Sequence, residues 1–492
     1  MRRPAPDTLL RRRPVRAALA AADLTLGATA AAVAGGVLLT RHLRRRRRPA
    51  PVTKRRLMAI DSMYDLPTLR ARQAEHIVTH RDLGGFYDRV WNVHPFAGID
   101  AQAGTFTALG APLTTPLTDV HTMIEGRPGR FARLTFLPFL NFVLAQAQLV
   151  LRLDRIVQDE GVAIIRGDPF YHGLLASLLG ALSGRPWEIR VVGNHDAIYE
   201  ATGELAYGRL FRWRFVEQRV ARFTFPRADC IVVQSQYTRE YVIRNGARPE
   251  RVAIGPMAIF VDPVHQVDPA DRAPLEDEFG LGDRPVVGFV GRLEHIKHPE
   301  DVIISVAKAR AGDRRIAAVI VGDGSMRAEL SALCAQLGVE DDIVFAGVRD
   351  QRWIARLLPR CAVIAAPLSG LALVESALSA APIVAYDVEW HAEFIADDRE
   401  AVLVPYRDTD AMASAICALV DDGARARRLG EAARAKALDV MDPSKLIAHE
   451  RALAERLICG PPPRGGRTAR RPVRSPATRQ ALARARAWML VR

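Results

Sequence analysis

The feature that most constrains this chain is an alternation. From Leu57 onward, short runs rich in Val and Ile alternate with longer stretches of helical periodicity. Strands separated by helices cannot pair through tight turns, so the pattern predicts parallel sheets with crossover helices. In the first half, strands are expected at 162–166, 188–192 and 230–233, with an apolar helix over 173–183 after the first. Each ends in polar residues: Gly167-Asp168, Gly193-Asn194-His195-Asp196 and Gln234-Ser235. Residues 261–283 hold several Pro and Asp and little periodicity, and read as a linker and first helix. The second half then alternates strands at 285–290, 316–321, 343–345, 362–366 and 382–386 with helices at 301–311, 326–337 and 371–380. Ser444 to Leu457 reads as a closing amphipathic helix. The fold class is therefore α/β: two Rossmann-like, doubly wound domains, residues 54–265 and 283–440, with a closing helix over 441–459.

The 492 residues allow roughly two to four domains. The net charge of +14 is not a property of that body. Residues 1–56 carry 15 Lys or Arg against Asp7 and Asp23, and residues 460–492 carry 9 Arg and no acid. The two tails together exceed the net charge of the chain, so the body between them is acidic. A nucleic-acid-binding enzyme needs a basic face on its folded part, which argues against nucleic acid as a partner. The five cysteines show no C-x-x-C spacing and read as reduced thiols, not as a disulfide set or a zinc site.

The tails carry their own signals. Residues 1–53 form a basic extension with a candidate membrane anchor at 17–40, where Asp23 is the only charge. Leu24 to Thr40 is at the short end of what spans a bilayer. Arg11, Arg12, Arg13 and Arg16 precede it; Arg41 and Arg44 to Arg48 follow. The heavier later flank would keep the body cytoplasmic, at the inner face of the membrane. A signal anchor, a surface helix on anionic lipid and an extension without a role all remain open. A cleaved signal peptide fits poorly, since arginines stand where a small-residue cleavage site belongs. The tail over 460–492 is Pro/Arg-rich and is expected to be disordered, with a short basic amphipathic helix conceivable over 480–491.

Three constellations carry chemistry. Gly291-Arg292-Leu293-Glu294-His295-Ile296-Lys297 follows a strand; a glycine turn admits a ligand to the backbone, and Arg292 and Lys297 can face one anion. A surface loop is the competing reading. Gly370 and Leu371 open a helix whose free amides can bind phosphate, and Glu375 lies one turn in. A carboxylate in that apolar helix needs a partner, either a ribose diol or neighbouring protein groups. Gly322-Asp323-Gly324 lacks the third glycine of a dinucleotide fingerprint and reads as a turn, which argues against an NAD oxidoreductase.

Taken in order, GRLEHIK, VIVGDGSMRAEL, IVFAGV and SGLALVESALSAAPIVAYDVEWHAEFI resemble the family 4 glycosyltransferases of the GT-B fold, over roughly Val286 to Leu429. IIRGDPFYHGLLASLLGALSGRPWEIRVVGNHD and ADCIVVQSQYTREYVIRNGA resemble that family's acceptor-side domain. The resemblance implies two domains facing a cleft, with retaining transfer of a sugar from a nucleotide diphosphosugar and no bound metal or cofactor. It implies that Arg292 and Lys297 hold the diphosphate beside Gly291, Gly370 and Leu371, that Glu375 contacts the ribose, and that His195 reaches the donor sugar, with Asp196 orienting it. Membrane association through the tails would fit an acceptor in glycolipid, envelope or polysaccharide synthesis. A non-catalytic binding subunit and a nucleotide-sugar epimerase are the alternatives. Three departures stand out. Pro367 replaces the motif's first glutamate, eight positions before Glu375. Glu389-Trp390-His391 stands where the family often has Gly-Gly, so these residues join the expected sugar pocket. Met58-Ala59-Ile60-Asp61-Ser62-Met63 stands where a glycine-rich loop is expected.

Overall fold

The computed structural model describes residues 13–44, 54–62, 64–71, 74–96, 112–127, 137–203, 205, 213–255, 279–281, 283–310 and 315–460. Most of the 261–283 linker and the expected helix over 480–491 lie outside these residues. The described chain through Ile458 is one compact unit that contains two parallel sheets.

The first sheet has eight strands: β1 (Arg56–Ile60), β2 (Arg89–His94), β3 (Leu113–Pro116), β4 (His121–Glu125), β5 (Ile164–Gly167), β6 (Trp187–Val191), β7 (Cys230–Val233) and β8 (Val252–Ile254). Their order is β3-β4-β2-β1-β5-β6-β7-β8, and only β3 runs antiparallel to its neighbour. Cys230-Ile231-Val232-Val233 is buried throughout, which explains an unbroken apolar run where a half-exposed strand would alternate. Helix α1 (Arg13–Arg44) precedes the sheet, and α2 (Pro138–Asp159), α3 (Tyr171–Ser183), α4 (His195–Thr202), α5 (Arg214–Thr224) and α6 (Gln236–Arg244) supply the crossovers. The residues expected to form a loop after the first strand divide differently. Met58, Ala59 and Ile60 belong to β1 itself and are fully buried; Asp61 and Ser62 make the turn, and Met63 lies outside the described residues.

The second sheet has six strands: β9 (Val286–Val290), β10 (Ala317–Val321), β11 (Ile343–Gly347), β12 (Val363–Ala366), β13 (Ile383–Tyr386) and β14 (Val402–Val404). The order β11-β10-β9-β12-β13-β14 is all parallel. This is the doubly wound arrangement whose chain direction reverses beside its first strand, leaving a crevice outside the carboxyl ends of β9 and β12. Helices α7 (Pro299–Ala309), α8 (Arg327–Leu337), α9 (Gln351–Leu357), α10 (Leu371–Leu378), α11 (His391–Phe394), α12 (Thr409–Asp421) and α13 (Gly423–Val440) complete this half. Val287, Phe289, Ile320 and Val363 lie in the core on one face of the sheet, and burial of each such side chain contributes about 1.5–3 kcal/mol.

Helix α14 (Pro443–Cys459) does not stay with the second sheet. It returns to the first, where Leu453 packs on Cys230 and Val232 and Ala454 joins the Leu57–Ala59 core. Glu450, itself buried, binds Arg190 through two hydrogen bonds and lies 3.6 Å from Arg166, which in turn is 2.5 Å from Glu188. Opposed charges in this number make the burial tolerable. All five cysteines are free, three of them buried.

Candidate active site

The crevice of the second sheet is framed by two turns that clamp each other. Gly291 N–H donates to the Val321 carbonyl and Leu293 N–H to that of Asp323, each at 3.0 Å. Gly322 has φ +136, and a Cβ there would lie 1.9 Å from the Gly291 carbonyl oxygen. Its glycine therefore serves backbone packing between the turns after β9 and β10. Glu294 accepts from both the amide and the hydroxyl of Ser325, which lowers its pKa and ties the same turns together.

The chain then makes a short turn over His295–Lys297, and His298, in the left-handed region at φ +50, starts α7 with Pro299 at its first position. That turn aims Lys297 into a cavity of about 560 Å³ whose wall it forms with Ile296. Burial lowers the Lys297 pKa; Glu389 beside it acts the other way, and Arg292 adds to the lowering. Arg292 is exposed, and does not belong to the cavity wall. The two cations are thus unequal: Lys297 is set in the wall, and Arg292 stands in solvent close enough to feel it.

Opposite them, Ser369 and Gly370 lead into α10, whose first amides have no side-chain cap. Such a helix start attracts anions. The Leu371 backbone begins the helix; its side chain lies outside the described residues. Glu375 sits one turn in, outside the cavity wall, where burial pushes its carboxyl up to about 7 against a hydrogen bond from Gln351. Pro367 is buried behind the turn, and Leu368 and Ser369 face the cavity in its stead.

The expected sugar pocket divides. Glu389 and Trp390 line the cavity. Glu389 holds φ +50, an uncommon backbone state for a residue with a Cβ, and its pKa is raised by burial against the pull of Lys297. His391 instead is fully buried. Its Nδ1 lies 3.0 Å from the Tyr386 carbonyl, and its Nε2 lies 3.0 Å from the Ser369 carbonyl and 3.2 Å from the Ser369 amide nitrogen. The imidazole is a buckle between the end of β13 and the turn before α10, and it does not reach the cavity.

The far wall comes from the first half. Asn194 caps α4 by accepting from the amides of Asp196 and Ala197, which fixes His195 at the helix start facing the cavity. Burial, with Arg214 nearby, lowers the His195 pKa to about 4, and its ring packs edge-on to Phe170 at 5.0 Å. It is a neutral imidazole at physiological pH. Asp196 faces elsewhere: it pairs with Arg214 and accepts from Asn245 at 2.9 Å. Residues that sequence reasoning missed complete the cavity, among them Tyr237, Phe394, Lys436 and Met441. Glu393 is the most informative of them. From α11 of the second half it accepts from the Gln236 and Tyr237 amides at the start of α6, at 2.6 and 2.8 Å. Ser235 also caps α6 by accepting from the Thr238 amide at 3.1 Å; the sequence marked Gln234-Ser235 only as a polar strand end, and the distant Glu393 was not legible.

Among the described residues, His298, Glu300 and Asp301 form one group with metal-ligand spacing. Arg407 pairs with both carboxylates, Tyr386 donates to Asp301 and the Tyr406 hydroxyl meets His298, so these atoms already serve one another.

Two parallel sheets whose strand ends face one shared cleft define the GT-B class. Comparison with known proteins gives the family: residues 271–436 match the glycosyl transferases group 1 and residues 97–258 the glycosyl transferase 4-like domain. The chain belongs to these group 1, family 4 glycosyltransferases. It is 31% identical over 166 residues to alpha-D-kanosaminyltransferase of Streptomyces kanamyceticus, 33% of this chain and 43% of that one. With a GDP-mannose-dependent alpha-(1-6)-phosphatidylinositol monomannoside mannosyltransferase of Mycolicibacterium smegmatis it shares 26% over 317 residues, 61% of this chain and 78% of that one. The chain spans about half the length of the kanosaminyltransferase and similar curated relatives. Anabaena HepE, solved with UDP and glucose, superposes with a TM-score of 0.60 at 17% identity, covering 81% of this chain and 98% of that one.

Proposed function

We propose that this chain is a glycosyltransferase that moves a sugar, with retention, from a nucleotide diphosphosugar to an acceptor in glycolipid, envelope or polysaccharide synthesis. The observation that carries the reading is the cleft itself: Lys297 and the uncapped start of α10 on one side, and His195 on the other. A diphosphate set between Lys297, Arg292 and the α10 amides meets positive potential on each side, which stabilises charge as it leaves. No bound metal is needed for that neutralisation. Glu375 takes the ribose hydroxyls, and neutral His195 offers a hydrogen bond to the sugar. The acceptor hydroxyl forms its bond to the anomeric carbon as the bond from that carbon to the diphosphate breaks. The hydroxyl proton passes to the departing phosphate oxygen, so no protein nucleophile is required.

The arginine run after the apolar stretch supports a place at the inner face of the cell membrane, where a lipid-linked acceptor would be within reach. Binding without turnover is the second reading, and Pro367 in place of a motif carboxylate is what favours it. A thermal-shift screen of nucleotide sugars, followed by calorimetry and turnover with membrane extract, separates the two. A true donor stabilises by an amount that grows with concentration over Kd. If no nucleotide sugar binds, the reading fails; if one binds and never turns over, the second reading stands.

A further inference from the structure

The apolar N-terminal stretch is long enough to cross a bilayer by length and composition, yet it lies along the body. The contact-bearing positions of α1 are Leu19, Asp23, Gly27, Ala30, Ala34 and Leu38, one stripe at helical spacing. The stripe is fastened at both ends. Asp23 is buried, and its two oxygens accept from Phe139 N–H at 3.0 Å and Leu140 N–H at 2.9 Å. Helix α2 has no side-chain cap of its own there, so a residue more than a hundred positions away caps it. At the other end Leu38 enters the core with α2 and α3 residues, and His42 Nδ1 lies 3.4 Å from the Leu182 carbonyl. From Asp23 to His42 is about 28 Å of helix.

The rest of the circumference is bare. Leu24, Leu26, Val33, Val37, Leu39 and Leu43 are exposed. Thr25, Thr29 and Thr40 turn their hydroxyls back onto the carbonyls of Ala21, Thr25 and Gly36, at 2.7–2.8 Å. The outer surface from Ala18 to Thr40 therefore presents neither a charge nor a needy polar group. A helix strapped at both ends to a water-soluble domain, with Arg152, Arg155 and Asp159 exposed on its partner α2, cannot also cross a bilayer. It can lie in one.

We propose that α1 is an in-plane membrane-docking helix: it stays locked to the first half through Asp23 while its outer face sinks into the acyl boundary of an anionic bilayer. Charge selects this occupant. Arg11 to Arg13 and Arg16 precede the face, and Arg41 and Arg44 to Arg48 follow it, so both ends attract lipid phosphates and would repel the same ends of a second copy. The inference deepens the inner-face location proposed above and is independent of the donor site.

The test is flotation of the full chain with vesicles of phosphatidylcholine alone and of phosphatidylcholine mixed with phosphatidylglycerol. Binding to the mixed vesicles, weakened by salt and released by alkaline carbonate, is expected. Val33→Glu with Val37→Glu should lower the bound fraction about tenfold or more without moving the melting temperature, because both side chains are exposed. Asp23→Ala should keep the binding and speed hydrogen exchange at the Phe139 and Leu140 amides. Should the double variant misfold, replacing Arg44 to Arg48 by glutamine tests the same face through charge. Carbonate-resistant pelleting would overturn in-plane docking and leave the inner-face location standing. Absence of binding to either vesicle overturns both, and a dimer abolished by the double variant would assign the face to a second copy.

Discussion

Glu375 makes the proposed donor site sensitive to pH in a way that can be worked out. Burial holds its carboxyl at about 7, so roughly one tenth is ionised near about pH 6 and roughly nine tenths near about pH 8. A ribose diol donates two hydrogen bonds, and the ionised carboxylate accepts both. If donor binding selects that form, the apparent Kd equals the intrinsic value divided by the ionised fraction. Affinity for a nucleotide sugar should then rise about tenfold from about pH 6 to about pH 8, which is about 1.4 kcal/mol. Near about pH 7, binding should release roughly half a proton, seen by calorimetry in buffers of different ionisation enthalpy. His195, at about 4, does not titrate in this window. Glu375→Gln should flatten the profile and abolish the release. An unchanged slope in that variant, or a flat profile in the parent, refutes the assignment.

The same raised pKa costs the free protein stability. The contribution of protonated Glu375 is fully present below the unfolded carboxyl value and is lost as pH rises through about 7, by roughly 3 kcal/mol; thermal melts of Glu375→Gln should therefore exceed the parent most at alkaline pH. Gly322→Ala would set a methyl 1.9 Å from the Gly291 oxygen at φ +136, and should lower stability by about 3 kcal/mol or more, or prevent folding, by denaturant titration. Lys297→Ala should weaken nucleotide-sugar binding by about 1.5–3 kcal/mol in calorimetry, and exposed Arg292→Ala by less. Glu393→Ala removes two bonds between the halves at an exposed rim, so hydrogen exchange at the Gln236 and Tyr237 amides should quicken by about one order of magnitude.

The strands and crossovers of the second half were legible because buried parallel strands leave unbroken Val/Ile runs and glycine-marked ends. β9, β10, β12 and β13 fall within one residue of expectation. Residues 409–440, which form α12 and α13, were less legible because much of their buried face is small: Ala413 in α12, and Ala426, Gly430, Ala433 and Ala437 in α13. At the site, Lys297 and Gly370 could be found from a strand end and a helix start, since local geometry decides both. His391 could not be told from a pocket residue, because its two backbone partners, Tyr386 and Ser369, are set by the meeting of β13 with the turn before α10. Asp196 was similarly ambiguous: which way it faces depends on Arg214 and Asn245, which lie 18 and 49 positions away.

The return of α14 to the first sheet has a consequence for how the protein is made. A ribosome releases the first sheet long before residue 450. Until then Arg166 and Arg190 have Glu188 but lack Glu450, and the Cys230–Val232 flank lacks Leu453. Newly made, the first half is a nearly finished domain with excess positive charge at a site meant for burial, and it must wait through the synthesis of the whole second half for its last piece. The order of translation thus makes the first half the last to become complete, though it is the first to be built.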